Sequence, residues 1–303
     1  LVNLFVQWLK SVEAEEIAVD IVLGNHEIRR TGTRVISVLD MINLIDFPHI
    51  TLYKQITTLD LNGISLVLIP FQDRKGLDQD SNKLAVQKLT DILHYELLDC
   101  PNSNIKIGVG HLALEGALWV SDEIDDLANE IVCPLSSFYG FDYVWMGHIH
   151  KPQILSKKPY LAHVGSMDIS DFGETEHVKK LILIDPNDKI NFFKEIALPT
   201  RNLKKIDLII PDDQFPTEFV LHHLKSLSLK ENIVRITVQL SKSSLEGIDK
   251  KKIEKYLYDE QKIHHLVSLT EQKTEITAQI VAASQSTIAI DRSTSPEQAL
   301  IFF

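Results

Sequence analysis

The stretch FDYVWMGHIHKPQIL, residues 141–155, decides the fold that we expect for this chain. Its first six residues are apolar or aromatic except for Asp142, which is typical of a strand buried in a sheet. The strand is predicted to end before Gly147, and His148 and His150 follow that glycine. Because open α/β sheets bind ligands beyond the carboxyl ends of their strands, we expect a site at this point.

Two earlier segments repeat this pattern of an apolar run followed by glycine and histidine. The run at residues 17–23 leads into Gly24-Asn25-His26-Glu27, and the run at residues 104–110 leads into His111. Imidazole nitrogens and amide oxygens bind borderline metals such as manganese, iron or zinc. Two such ions about 3.5–4 Å apart can clamp a phosphate and activate a water molecule. The joint pattern therefore predicts a metal-dependent reaction at phosphate.

Further periodic segments place these loops in an α/β fold. Helices are predicted over 1–14, 32–45 and 80–98, and strands within 50–69 (around an Asn62-Gly63 turn), over 160–165 and over 179–185. After Pro199 the pattern changes, which predicts a second, smaller α/β unit. Its predicted strands are 205–210, 232–240 and 274–281, and its predicted helices are 217–228 and 249–258.

The composition excludes several classes of protein. The chain has 303 residues, of which 44% are hydrophobic and 24% charged, so it is neither disordered nor fibrous. It has no apolar run of 18 residues, which argues against a membrane span. The net charge of −11 argues against binding nucleic acid by bulk electrostatics. The two lone cysteines, without metal-site spacing, indicate a reducing, cytoplasmic compartment.

The charge is spread unevenly along the chain. Residues 1–150 carry 10 basic and 21 acidic side chains, whereas residues 151–303 carry 21 of each. A carboxylate-rich first half fits a catalytic part whose cations are metal ions. The lysines of the second half, among them Lys204, Lys205 and those at 250–252, either contact phosphate groups or only solvate the surface.

The three loops together resemble the calcineurin-like metallophosphoesterases. Residues 141–155, with YLAHVGSMDISDFGE at residues 160–174, resemble more narrowly the SbcD-type subunit, a DNA repair exonuclease. The resemblance implies a metallophosphoesterase β-sandwich flanked by helices over residues 1–199. It also implies a smaller α/β capping domain over 200–283. A linker and the start of a partner-binding helix would occupy 284–303.

The resemblance also implies roles for individual residues. Asn25, His111 and His148 would bind one divalent metal ion and His150 a second, both of them manganese. His26 would stabilise charge on the scissile phosphate and help to protonate the leaving oxygen. The expected substrate contacts are Arg29, Lys151, Gly165 and Ser166. His163 and Trp145 are predicted to have structural roles.

The sequence departs from the family pattern at its front. The family's Asp-x-His and Gly-Asp-x-x-Asp motifs do not occur before Gly24, and Glu27 stands where the family more often has Asp. Since the chain begins and ends inside helical patterns, we expect a fragment truncated at both ends. Such a fragment would bind metal poorly and be inactive by itself.

The function predicted from these observations is two-metal hydrolysis of DNA phosphodiester bonds, by an exonuclease or endonuclease. The enzyme would be the nuclease subunit of an SbcCD-type complex in repair, recombination or replication. The implied partners are DNA, a coiled-coil ATPase of the SbcC type and a second copy of the subunit, without a membrane. Two alternatives remain open: another metallophosphoesterase, such as a phosphatase or small-molecule phosphodiesterase, and a non-catalytic subunit.

Overall fold

The computed structural model describes residues 2–31, 34–45, 47–118, 130–188, 190–241 and 246–274. The chain divides into two compact units, residues Leu1–Thr200 and Arg201–Phe303. None of the helices in these described ranges has both the length and the apolar character needed to cross a membrane.

In the part that the structure describes, the first unit combines short strands with two α-helices. Its strands are β1 (Val19–Val22), β2 (Ile28–Thr31), β3 (Arg34–Ser37), β4 (Ile50–Tyr53), β5 (Thr57–Asp60), β6 (Ile64–Ile69), β7 (Ile105–Gly110), β8 (Ala113–Leu114), β9 (Val132–Cys133), β10 (Tyr143–Met146), β11 (Gln153–Lys157), β12 (Tyr160–His163), β13 (Lys180–Ile184) and β14 (Phe193–Ala197). Its helices are α1 (Val2–Ala14) and α2 (Asn82–Leu98), and 3₁₀ segments cover Val38–Leu44, Leu135–Phe138 and Phe172–Glu174.

A six-stranded sheet in the order β11-β12-β10-β7-β6-β5 organises the first unit. The four inner strands run parallel to one another, and the two edge strands run antiparallel to their neighbours. In this register Met146 lies beside Gly110 on one side and His163 on the other. The carboxyl ends of the parallel strands therefore lie along one edge, as the sequence predicts for the histidine loops.

The two faces of this sheet are covered by different layers. Because successive strand residues point to opposite faces, β10 contributes to two separate cores. Val144 and Met146 pack in the core that includes Leu89 of α2, whereas Trp145 packs in the core that includes Phe192, next to β14. The sheet thus lies between a helix and the antiparallel pair β13–β14. The predicted mixed α/β class is confirmed.

The Asn62-Gly63 turn shows how local sequence sets one strand pair. Asn62 and Gly63 have φ angles of 49° and 93°, as a two-residue type I′ turn requires. Leu61 and Ile64 exchange backbone hydrogen bonds on either side of the turn, at 2.8 and 3.2 Å. The predicted hairpin between β5 and β6 is confirmed.

The helix predicted over 32–45 is wrong in its first part. β2 and β3 form an antiparallel hairpin there, in agreement with the β-branched residues Val35 and Ile36, which favour strands. Helical structure starts only after Ser37, as a 3₁₀ segment. The Ser37 side chain accepts from the Leu39 N–H, and the Ser37 N–H donates to the Asp40 carboxylate.

Among its described residues, the second unit is a three-stranded parallel sheet with two helices. It contains β15 (Leu203–Ile209), α3 (Pro216–Lys225), β16 (Ile233–Ser241), α4 (Lys250–Asp259) and β17 (His265–Thr274), with β16 in the middle. Alternate residues of β16, such as Val234 and Ile236, are buried in one core with Leu224 of α3 and Leu257 of α4.

The last predicted strand lies almost entirely outside the described residues. The described strand β17, His265–Thr274, overlaps the predicted strand over 274–281 only at Thr274. The remainder of that strand lies outside the described residues. The predicted linker and partner-binding helix over 284–303 also lie outside them.

Candidate active site

Two of the predicted loops meet at the carboxyl edge of the sheet. The Phe71 N–H, just after β6, donates to the Leu23 carbonyl at 2.8 Å, so the chain that follows β1 runs beside the end of β6. There the Asn25 amide oxygen lies 2.9 Å from His111 Nε2, and His111 directly follows β7. A residue from each of two loops, 86 positions apart, therefore converges on one point.

The third loop brings His148 to the same place. The ring centroids of His148 and His111 are 5.1 Å apart, and Phe71 contacts both rings at 6.0 and 6.3 Å. His148 has a φ angle of 82°, which is uncommon for a residue with a side chain. Such strained conformations persist where the surrounding structure holds them, and they cluster at functional sites.

Glycines leave the room that the His111 ring needs. A Cβ on Gly24 would lie 3.0 Å from His111 Cε1, and a Cβ on Gly147 would lie 3.2 Å from His111 Nδ1. Glu27 closes the first loop, since its carboxylate accepts the Gly24 N–H at 3.1 Å. The glycine before each loop therefore has a packing role here.

The environment of His111 keeps its ring neutral. Burial, the largest cause, and the other imidazoles near the ring together lower the pKa of His111 to about 3. These imidazoles are His148, His26, His163 and His150. A neutral imidazole retains the lone pair that a metal ion needs. His26 is exposed, unlike the partly buried His111.

His163 supports the turn before His148. Its ring is 1% exposed, and its Nδ1–H donates to the Gly147 carbonyl at 3.0 Å. Burial lowers the pKa of His163 to about 4, although the bond to Gly147 opposes that shift. Its Nε2 is buried and has no hydrogen-bond partner within the described part of the chain. These contacts agree with the predicted structural role.

Glu130 is a site residue that sequence reasoning missed. Its carboxylate oxygen Oε1 contacts His148 Nε2, and the two side chains are only 9% and 6% exposed. Glu130 lies just before β9 and belongs to none of the glycine–histidine patterns. In the sequence, Glu130 is only a single acidic residue beside the apolar Ile131, and this pattern does not indicate a site.

His150 is held by a second buried carboxylate. Its Nδ1 lies 3.0 Å from Glu174 Oε1, and Ser170 donates to the same oxygen at 2.8 Å. Lys179 binds the other oxygen at 2.5 Å. Burial would raise the pKa of Glu174, but the hydrogen bonds from Lys179, His150 and Ser170 lower it to about 2. The carboxylate therefore stays charged while it is buried.

The expected substrate contacts lie in different surroundings. Arg29 is exposed on β2, and Lys151 is half-buried directly after His150. Gly165 has a φ angle of 82°, and a Cβ there would lie 2.8 Å from the His150 carbonyl oxygen. The Ser166 N–H donates to that same carbonyl at 3.2 Å, and the Ser166 hydroxyl accepts from Lys179 at 2.6 Å. In this structure its polar groups support the His150 loop.

The residues at the strand ends fit the chemistry of a borderline divalent metal ion. They offer neutral imidazole nitrogen, amide oxygen and carboxylate oxygen. Two imidazoles bound to one ion at about 2.1 Å would have ring centroids about 4.5–5.5 Å apart, and the 5.1 Å between His111 and His148 agrees with this. Within the described ranges, no group of three or more His, Cys, Asp or Glu side chains could hold a metal ion. The described residues therefore do not form a complete metal site of that kind by themselves.

A comparison with curated proteins finds a distant relative of this chain. A Staphylococcus epidermidis protein, named as the SbcD subunit of the nuclease SbcCD, is 25% identical over 162 residues. The chain is thus similar to an SbcD nuclease subunit. The match covers 51% of this chain and 42% of that protein, so the chain spans less than half of the relative's length. No family model matches the chain.

Proposed function

We propose that this chain contributes part of a metal-dependent phosphodiesterase centre that hydrolyses DNA in a nuclease subunit of the SbcD type. The observation that carries the proposal is the convergence of Asn25 Oδ1 and His111 Nε2, 2.9 Å apart, with His148 beside them. All three follow strands whose carboxyl ends meet. The similarity to the SbcD subunit of a nuclease supports the choice of substrate.

The proposed metal ligands are Asn25, His111 and His148 for one ion and His150 for the other. Manganese ions, when bound, would polarise the phosphate and lower the pKa of a bound water. His26 is exposed and lies near the buried imidazoles, so its side chain can contact the phosphate of a substrate. There it would stabilise the charge that develops on the phosphate and protonate the leaving oxygen. The neutral ring of His111 is already in the protonation state that binds a metal.

The proposed partners follow from the same similarity. They are DNA, an SbcC-type ATPase and a second copy of the subunit, in the cytoplasm. The second unit would act as a capping domain that presents lysines to the DNA backbone. Lys204, Lys250 and Lys251 are exposed, as such contacts require.

The test compares hydrolysis by the complete subunit, assembled with its ATPase partner, before and after substitution of one histidine. With manganese, we expect cleavage of linear duplex DNA and of a nitrophenyl phosphodiester. We expect His148→Ala to lower both rates by about 100-fold or more, because it removes a metal ligand. His94→Ala is the matched control, since His94 is an exposed histidine on α2.

Three results would contradict the proposal. Unchanged rates in His148→Ala would show that the histidine cluster is not the centre. Hydrolysis of a nitrophenyl monoester without the diester or DNA would indicate a phosphatase. DNA binding without hydrolysis of any of these substrates would indicate a non-catalytic subunit.

A further inference from the structure

Each histidine of the 148–150 pair faces its own buried carboxylate. His148 Nε2 contacts Glu130, and His150 Nδ1 contacts Glu174. The two histidines thus use opposite ring nitrogens. Because a carboxylate oxygen and an unprotonated ring nitrogen both carry lone pairs, a proton must lie between them in each contact.

Glu174 is fixed far more firmly than an ordinary surface carboxylate. It is 1% exposed, and Lys179, also 1% exposed, binds it at 2.5 Å. The same Lys179 ammonium donates to the His150 carbonyl at 3.1 Å and to Ser166 at 2.6 Å. The ammonium therefore ties the carboxylate to the backbone of the histidine that the carboxylate holds.

Glu130 is fixed through its backbone. The Asn82 side chain, at the start of α2, donates to the Glu130 carbonyl at 3.2 Å, and Glu130 forms an isolated β-bridge with Asp73. Its Oε1 is buried, and His148 is its polar contact among the residues described. A carboxylate would not stay in such a place without a cationic or hydrogen-bonding partner.

We propose that Glu130 and Glu174 are positioning residues that fix opposite tautomers of the two histidines. His148 then carries a proton on Nε2, whereas His150 carries a proton on Nδ1. Metal-binding histidines commonly donate their other ring N–H to a carboxylate in this way. A metal-binding role of the remaining ring nitrogens rests on the proposed function, but the tautomers do not.

The tautomers are measured in the metal-free complete subunit by ¹H–¹⁵N spectra of labelled histidine, near pH 8.5, above the usual imidazole pKa of about 6.5. His148→Gln and His150→Gln assign the signals. We expect the Nε2–H form for His148 and the Nδ1–H form for His150. The reverse forms, or mixtures at both rings, would overturn the proposal.

Variants of the carboxylates test the cause. In Glu130→Leu, His148 should become a mixture of tautomers, and manganese affinity should fall about 10–100-fold, as for other residues that hold metal ligands. Glu130→Gln should restore the tautomer, because its amide oxygen still accepts a hydrogen bond. The exposed Glu218→Gln, in the second unit, should change neither quantity.

His150 is tested with the double variant Glu174→Leu/Lys179→Met. Replacing a buried ion pair by apolar groups of similar size is often tolerated, so this variant keeps the fold better than Glu174→Leu alone. We expect His150 to lose its fixed tautomer. If this variant does not fold, the wild-type spectrum and the Glu130 variants still decide the proposal.

The outcomes separate this proposal from the proposed function. Tautomers that are fixed in the wild type and lost in the leucine variants support positioning, even if the complete wild-type subunit binds no manganese. In that case the metal-dependent function fails. Manganese binding by the wild type, with tautomers and affinity unchanged in the leucine variants, overturns positioning and leaves the function standing.

Discussion

The two units of this chain bury different kinds of side chain. Within the part of the chain that the structure describes, the buried polar and charged residues all belong to the first unit, and Glu174, Lys179 and His163 lie near its strand ends. The second unit has an apolar core, and its charge pairs, such as Lys205–Asp207, are at the surface. A buried charged side chain loses its hydration, which costs free energy, whereas a buried apolar side chain has no such cost. The first unit therefore carries an arrangement that stability alone does not explain, as expected of a functional site.

The largest expected effect is the loss of the Lys179 ammonium. Lys179→Met leaves the Glu174 carboxylate buried without its cation, and breaking a buried pair in this way costs about 3–5 kcal/mol. We expect the urea midpoint of the first unit to fall accordingly. Tryptophan fluorescence measures it, because Trp8, Trp119 and Trp145 all belong to that unit.

The double variant Lys179→Met/Glu174→Leu is the control for this prediction. It removes both charges, so it should recover most of the lost stability. A single Lys179→Met variant as stable as the wild type would mean that the pair is solvated, and the contrast between the units would then disappear.

A cavity in the second unit should have the next largest effect. Leu224 is fully buried in the core formed by β15–β17, α3 and α4. Leu224→Ala should lower the free energy of unfolding by about 2–5 kcal/mol, measured by far-UV circular dichroism in urea. Val267→Ala is the matched control, because Val267 is 46% exposed on β17 and should change stability by less than about 0.5 kcal/mol. Equal effects of the two variants would show that this core is not tightly packed.

Strong periodicity and turn chemistry made much of the fold predictable. β7 is a mostly apolar run that ends at Gly110, and β10 is an apolar run that Gly147 follows. The Asn62-Gly63 turn fixes a hairpin by its backbone conformation. β8 and β9, with two residues each, are too short to show any period. The predicted helix over 32–45 includes β3 because the apolar residues on both sides of Ser37 also fit helical spacing.

The site was predictable only where residues follow strands. Asn25, His111 and His148 could be expected to converge, because parallel strands end at one edge. Glu130 precedes His148 by 18 positions and Glu174 follows His150 by 24, and neither spacing is a pattern of helix, strand or turn. Their contacts depend on how separate loops pack, which a single sequence does not encode locally.

Backbone crowding gives a smaller contrast between the units. A Cβ on Gly110, at the end of β7, would lie 2.3 Å from the Ile69 carbonyl oxygen, whereas a Cβ on Gly247 would meet the flexible Glu271 carboxylate at 2.9 Å. Gly110→Ala should therefore cost about 1–3 kcal/mol of overpacking, measured as a lower urea midpoint by tryptophan fluorescence. Gly247→Ala should cost less, because a side-chain end moves more easily than backbone. A larger loss in Gly247→Ala would reverse this contrast.

The smallest expected effect concerns an exposed ion pair of the second unit. Glu218 and Lys252 join α3 to α4 at 3.2 Å, and this hydrogen bond lowers the pKa of Glu218. Water solvates both groups, and exposed pairs contribute little to stability. We expect Glu218→Gln to leave the urea midpoint by circular dichroism within experimental error, at low and at high salt. A clear salt-dependent loss would show that surface charge also stabilises the second unit, and the difference from the buried Lys179–Glu174 pair would become one of degree.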